Sequence, residues 1–288
     1  MFLGNACSLK SKKDSIAQTQ VYYVSVPITQ FSSINAPCLE VQIEDHFHTM
    51  ELDLGFRGDI TLENKYLEKI SPTYIQSKTM YGIRGKAYQT NLYRLPKIRI
   101  GDMAFYDSVL QEHNAEFDKD SVFVREGTEP SPAQPGRLGW QLFYPVNLLI
   151  DVSKSTIAFC DSLETLKQQG YLIDRFVEVP LLIDRGIIEF IAETPDGSMV
   201  CSLDTGSTVN MLNEEIEEEN LSQLIWDPQY TLNLDSLKIG SIEFGPIRVH
   251  RFPIKLPIRI DVSLGMEFFN ENLVFIDFTK KKIYFSKN

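Results

Sequence analysis

Leu203-Asp204-Thr205-Gly206-Ser207-Thr208 is the stretch whose reading decides the fold. With Met199-Val200 ahead of it, a strand ends in a carboxylate, the chain turns at a glycine, and two hydroxyls follow at once. Gly206 permits a tight turn that brings amide N–H groups toward the carboxylate. The hydroxyls of Thr205 and Ser207 can donate to an ionised Asp and hold its pKa low. Four common residues recur by chance in 288. The weight therefore comes from a second copy of the surroundings.

That copy exists. Val24-Ser25-Val26-Pro27 returns 153 residues later as Val177-Glu178-Val179-Pro180. Each leads into two alternating apolar runs, Leu39 to Ile43 with Thr49 to Leu54, and Ile187 to Ala192 with Ser198 to Asp204. Such alternation predicts half-buried strands, and Pro195-Asp196-Gly197 predicts a hairpin turn between the second pair. Each second run ends on an aspartate, Asp53 and Asp204, an offset of 151. Further on, Ile98-Arg99-Ile100-Gly101 matches Leu237-Lys238-Ile239-Gly240, and Leu138-Gly139 matches Leu264-Gly265. An aspartate follows twelve residues after each of the last two glycines, at Asp151 and Asp277, before a closing strand. The landmarks keep one order, so the chain reads as a duplicated β-rich module.

This order of strand pair, D-x-G elbow, apolar L-G strand and final strand resembles the lobe of the retropepsin-like and pepsin-like aspartic proteases. The resemblance runs from about Val21 onward. Asp204-Thr205-Gly206-Ser207 carries it best, and Asp53-Leu54-Gly55-Phe56-Arg57-Gly58 resembles a looser variant among bacterial, duplicated single-chain members. It implies an all-β, bilobal acid-protease fold of two related lobes, each with a short helix. The expected divisions are a tail over 1–20, an N-terminal lobe over 21–160, a joint at 161–170 and a C-terminal lobe over 171–288.

The implied activity is endopeptidase cleavage of an extended peptide or protein by a water activated between Asp53 and Asp204, without cofactor or metal. The alternative is a protease-like module that binds a peptide or partner without turnover. Two facing carboxyls share a proton and titrate as a unit. Leu54 and Phe56 donate nothing from their side chains beside Asp53, whereas Thr205 and Ser207 flank Asp204. The expectation is therefore an ionised Asp204 and a protonated Asp53. Gly55, Thr205, Gly206 and Ser207 would support the pair, Thr205 by gripping the opposite lobe. The interval from Asp53 to Gly101 is 48 residues, against 36 from Asp204 to Gly240. The excess around Lys78 to Lys86 predicts a hairpin. The resemblance implies that it is a flap over the cleft with Tyr81 and Gly82 near its tip, the alternative being a plain surface hairpin.

Composition constrains partners more than chemistry. A net charge of −11 disfavours nucleic acid, which needs a basic face. No apolar run is long enough for a transmembrane helix, and a monomer is expected. Cys7, Cys38, Cys160 and Cys201 have no paired spacing, and the last three are expected as buried thiols. Phe2-Leu3-Gly4-Asn5-Ala6-Cys7 before a polar stretch reads either as the end of a lipoprotein signal, with Cys7 lipidated in the cell envelope, or as a tail with an incidental cysteine. His46 and His48 share a strand face beside a hairpin turn. Asp118 and Asp120 lack the rest of a calcium loop. Glu112 to Arg137 reads as a long acidic loop, and Glu214 to Glu219 as the exposed face of a short helix.

Overall fold

The computed structural model describes residues 22–32, 35–81, 85–113, 135–216, 221–223 and 231–288. The chain is mostly β, as expected. Among the described residues its α-helices are four short ones, Asn64–Leu67, Trp140–Phe143, Leu163–Gln168 and Met266–Glu271. Two of them start directly after the paired Leu-Gly landmarks, where strands alone were expected. Glu214 and Glu215 form a turn rather than a helix, and Glu217 to Glu219 lie outside the described residues, as do Cys7, Gly82, Asp118 and Asp120. Among the described residues no helix is long and apolar enough to cross a membrane.

The duplication is visible in the sheets. In the first copy the elbow strand His46–Asp53 pairs parallel with Gly136–Gly139, which pairs antiparallel with Ile60–Leu62. That strand in turn runs parallel to Met103–Glu112, the antiparallel neighbour of Ala87–Ile100. In the second copy Gly197–Leu203, Val262–Leu264, Met211–Asn213, Ile247–Phe252 and Thr231–Leu234 repeat this series with the same directions. The alternation that predicted these strands sorts their side chains. Leu39, Val41 and Ile43 are fully buried, while Glu40 between them is exposed.

A third sheet joins the copies. Its antiparallel order is Tyr23–Pro27, Thr156–Cys160, Asn147–Asp151, Asn272–Asp277, Lys282–Lys287 and Val177–Pro180. Each copy gives three strands in mirrored order, and the centre is the pairing of Leu148–Ile150 with Val274–Ile276. The matched aspartates do matched work. Asp151 accepts from the Lys154 amide at 3.0 Å and Asp277 from the Lys280 amide at 2.8 Å, each closing the turn between its two strands. One apolar core runs through both copies, with Phe105, Phe143 and Phe159 in contact on one side and Phe190 and Phe285 on the other. Each such fully buried aromatic contributes about 1.5–3 kcal/mol.

Candidate functional site

The two elbow strands deliver Asp53 and Asp204 to one point. A Cβ on Gly55 would lie 2.6 Å from the Asp204 carboxyl carbon, and one on Gly206 would lie 2.5 Å from that of Asp53. Each carboxyl thus rests on the bare backbone of the opposite elbow, and only glycine leaves that space. The Phe56 amide donates to Asp53 Oδ1 and the Gly206 amide to Asp204 Oδ1, both at 3.0 Å. The two carboxyls act directly on each other's ionisation.

Thr205 ties the elbows together. Its fully buried hydroxyl donates to the Leu52 carbonyl at 2.6 Å and accepts from the Leu54 amide at 3.1 Å. The tie is one-sided, because the matching position of the first elbow is Leu54, buried in the core. Ser207 departs from expectation. Its hydroxyl donates to the Val209 carbonyl at 2.8 Å, closing its own turn, rather than to Asp204.

The charge distribution also reverses the expected one. Burial, then the neighbouring Asp53 carboxylate, push the Asp204 carboxyl up to about 8. Burial raises Asp53 too, but the Arg137 guanidinium, whose Nε is 3.8 Å from Asp53 Oδ2, opposes it. Arg137 thus favours the charge on Asp53 over Asp204. Sequence reasoning missed Arg137 because it counted only hydroxyl donors next to each aspartate, and Arg137 lies 84 positions from Asp53 (137 − 53). Its one signal was its place two residues before a landmark glycine. Arg137 also meets Glu51, with Nε 3.3 Å from Oε2.

The expected hairpin forms. Thr73–Tyr81 pairs antiparallel with Ala87–Ile100, Met80 opposite Tyr88 and Tyr81 opposite Ala87. Past its tip, a Cβ on Gly85 would lie 3.4 Å from the carbonyl of Lys255, in the second copy. Tyr81 is 58% exposed. Alternation puts Met80 on the other face, where it, Tyr88, Phe56, His113 and Arg137 line a small pocket. Met80 and Tyr88 are thus the hairpin residues of this pair of positions that share a pocket with Arg137.

Other candidates lie apart from this site. His48 is buried edge-on to Tyr66, and burial lowers its pKa. His46, exposed, opens the same strand just after the Glu44-Asp45 turn. Among the described residues no group of three His, Cys, Asp or Glu side chains is placed to hold a metal ion. Cys38, Cys160 and Cys201 are buried and not disulfide-bonded.

No protein-family model matches the chain, and no curated protein does. Two solved structures match it over 93% of its length and 96% of theirs, with a TM-score of 0.56 and 11% identity in each case. They are the basic 7S globulin from soybean and conglutin gamma, a basic 7S globulin from lupine seeds. The likeness is to globulins.

This overturns the protease assignment. The retropepsin-like and pepsin-like label, the bacterial two-lobe membership, the endopeptidase activity and the water activated between Asp53 and Asp204 all rested on motif order. Motif order follows the backbone path, and one path serves many functions. At 11% identity the globulins themselves share only the fold with this chain. What a D-x-G elbow guarantees is a buried carboxyl on a tight turn. The reaction was an addition to it.

Proposed function

We infer that this chain is a ligand-binding protein that holds a neutral hydroxyl or amide group between the Asp53 and Asp204 carboxyls. The observation that carries the inference is the mutual seating of each carboxyl on the other elbow's glycine. A ligand that replaces the contact between the two carboxyls meets a hydrogen-bond donor on the protonated one beside an acceptor on the charged one, and the low-polarity surroundings strengthen both. A hydroxyl or an amide satisfies both at once. The architecture in this reading is two lobes, 21–160 and 171–288, joined over 161–170, with the carboxyl pair where they meet. Gly55, Thr205 and Gly206 support the pair from below, and Met80 and Tyr88 of the hairpin line the pocket that Arg137 shares.

The test is carboxyl-resolved ¹³C NMR while small secondary alcohols, amides and amines of matched size are added. Alcohols and amides should move the Asp53 and Asp204 resonances, and the Asp204→Asn variant should lose the response. No response to any compound would refute the reading. So would chemical turnover of a bound compound that Asp204→Asn abolishes, since that would make the pair a catalyst.

A further inference from the structure

The repeat fails at one pair of positions beside the carboxyls. In the first copy the parallel register sets Glu51 opposite Arg137 and Asp53 opposite Gly139. Glu51, Asp53 and Arg137 therefore project from one face of two adjacent strands. Arg137 Nε reaches both carboxylates, at 3.3 Å and 3.8 Å, with its side chain only 14% exposed. In the second copy the same register sets Ser202 opposite Ser263. Both serines are buried. Asp204 thus has two small neutral side chains where Asp53 has an ion pair.

We propose that Arg137, held in place by Glu51, is the positioning residue that makes the two carboxyls unequal, keeping the charge on Asp53 and the shared proton on Asp204. The proposal rests on the carboxyl pair being the site, and it assigns that site a polarity. A bound ligand would turn its acceptor toward Asp204 and its donor toward Asp53. The charged and titratable groups at the pair are Arg137 and Glu51 from the first copy and the two aspartates themselves, with His113 lining the pocket beside Arg137. The backbone amides act in the same sense as Arg137, with Phe56 and Gly55 donating to Asp53 against Gly206 alone to Asp204, and the Arg137 charge lowers Asp53 more than either amide. A cation within about 4–6 Å lowers an aspartate by roughly 1–3 pH units, enough to decide between two otherwise similar acids.

The experiment is site-resolved ¹³C titration of both γ-carboxyls in ligand-free protein. Wild type, Arg137→Lys, Arg137→Met and Glu51→Gln would be compared. Wild type should ionise at Asp53 first, and Arg137→Lys should keep that order. Arg137→Met should raise the Asp53 midpoint by about one unit or more and close or invert the gap. Glu51→Gln removes the carboxylate that competes for the guanidinium and should lower that midpoint. A folded Arg137→Met that keeps the wild-type order and spacing would overturn the proposal. If Arg137→Met does not fold, a Glu51→Gln variant whose Asp53 midpoint stays put or rises would do so. No ligand is present, so a failure to find ligand binding would count against the proposed function alone.

Discussion

Replacing Thr205 with valine removes one oxygen and almost no volume, so its cost is nearly all hydrogen bonding. The hydroxyl is fully buried, donating to the Leu52 carbonyl at 2.6 Å and accepting from the Leu54 amide at 3.1 Å. Valine fills the space and serves neither partner. A buried group left without a partner costs about 1–3 kcal/mol, so two set a range of about 2–6 kcal/mol. The carbonyl keeps a second lone pair for other donors, which places the expected loss near 3 kcal/mol, toward the lower half of the range. For a chain of this size that lowers the melting temperature by roughly 6–12 °C. Urea unfolding followed by tryptophan fluorescence and by circular dichroism measures it, with both signals required to coincide. Thr205→Ser is the control, since it keeps the oxygen and gives up one methyl, worth about 0.8 kcal/mol. If Thr205→Val lost less than Thr205→Ser, the hydroxyl tie between the elbows would contribute nothing and the reasoning would be wrong.

Gly206→Ala places a Cβ 2.5 Å from the Asp53 carboxyl carbon, so one elbow must move; overpacking of this kind costs about 1–3 kcal/mol, and a melting temperature unchanged from wild type would contradict the seating. The pH dependence of stability has a definite sign. Asp204 holds its proton up to about pH 8 in the fold, whereas an unfolded aspartate releases it near pH 4. Over that window the folded state binds more protons, so stability is greatest at the acid end and falls as pH rises. Asp204→Asn removes the titration while keeping a donor to Asp53. Its urea midpoint should fall less than wild type's between pH 5 and 8 and exceed it at pH 8; parallel curves would refute the assignment. Burial pushes Cys38 and Cys160 up to about 12 and raises Cys201 as well. Mass spectrometry after iodoacetamide treatment should find all three unmodified in native protein and modified in urea, and native labelling of any of them would count against their burial.

The strand order was legible because its signals are local and repeated. Alternation marked the paired runs, and two copies fixed which aspartates correspond. The hydroxyl of Thr205 bridges to Leu52 and Leu54, a contact that only the family resemblance, not the residue types themselves, implied. What failed was whatever depended on register between distant strands. The place of Arg137 beside Asp53 follows from a parallel pairing across 84 positions (137 − 53), which no window along the chain contains. Counting hydroxyl donors alone left out the Arg137 charge that favours an ionised Asp53. Ser207 misled differently, because a hydroxyl can satisfy a nearby carbonyl as readily as a carboxylate. Tyr81 and Met80 are strand neighbours and take opposite faces, Tyr81 exposed and Met80 toward the pocket that Arg137 lines. The short helices after Gly139 and Gly265 carry the apolar Trp140, Leu142, Phe143, Met266, Phe268 and Phe269, a density that reads equally well as strand.

The sheet that joins the two copies bears on how the chain reaches this state. Its central pairing sets Leu148 against Ile276, 128 positions apart (276 − 148). The first strand of each copy also closes against that copy's last, Tyr23 against Cys160 and Val177 against Phe285. During synthesis the Tyr23–Pro27 strand must wait for Thr156–Cys160, and Asn147–Asp151 keeps one side open until Asn272–Asp277 emerges. Loop closure over such spans precedes any contact that rewards it, so folding is slow and leaves a waiting strand edge exposed. The Asn147–Asp151 edge, buried at every position once folded, is where a newly made chain is most open to capture by another of its kind.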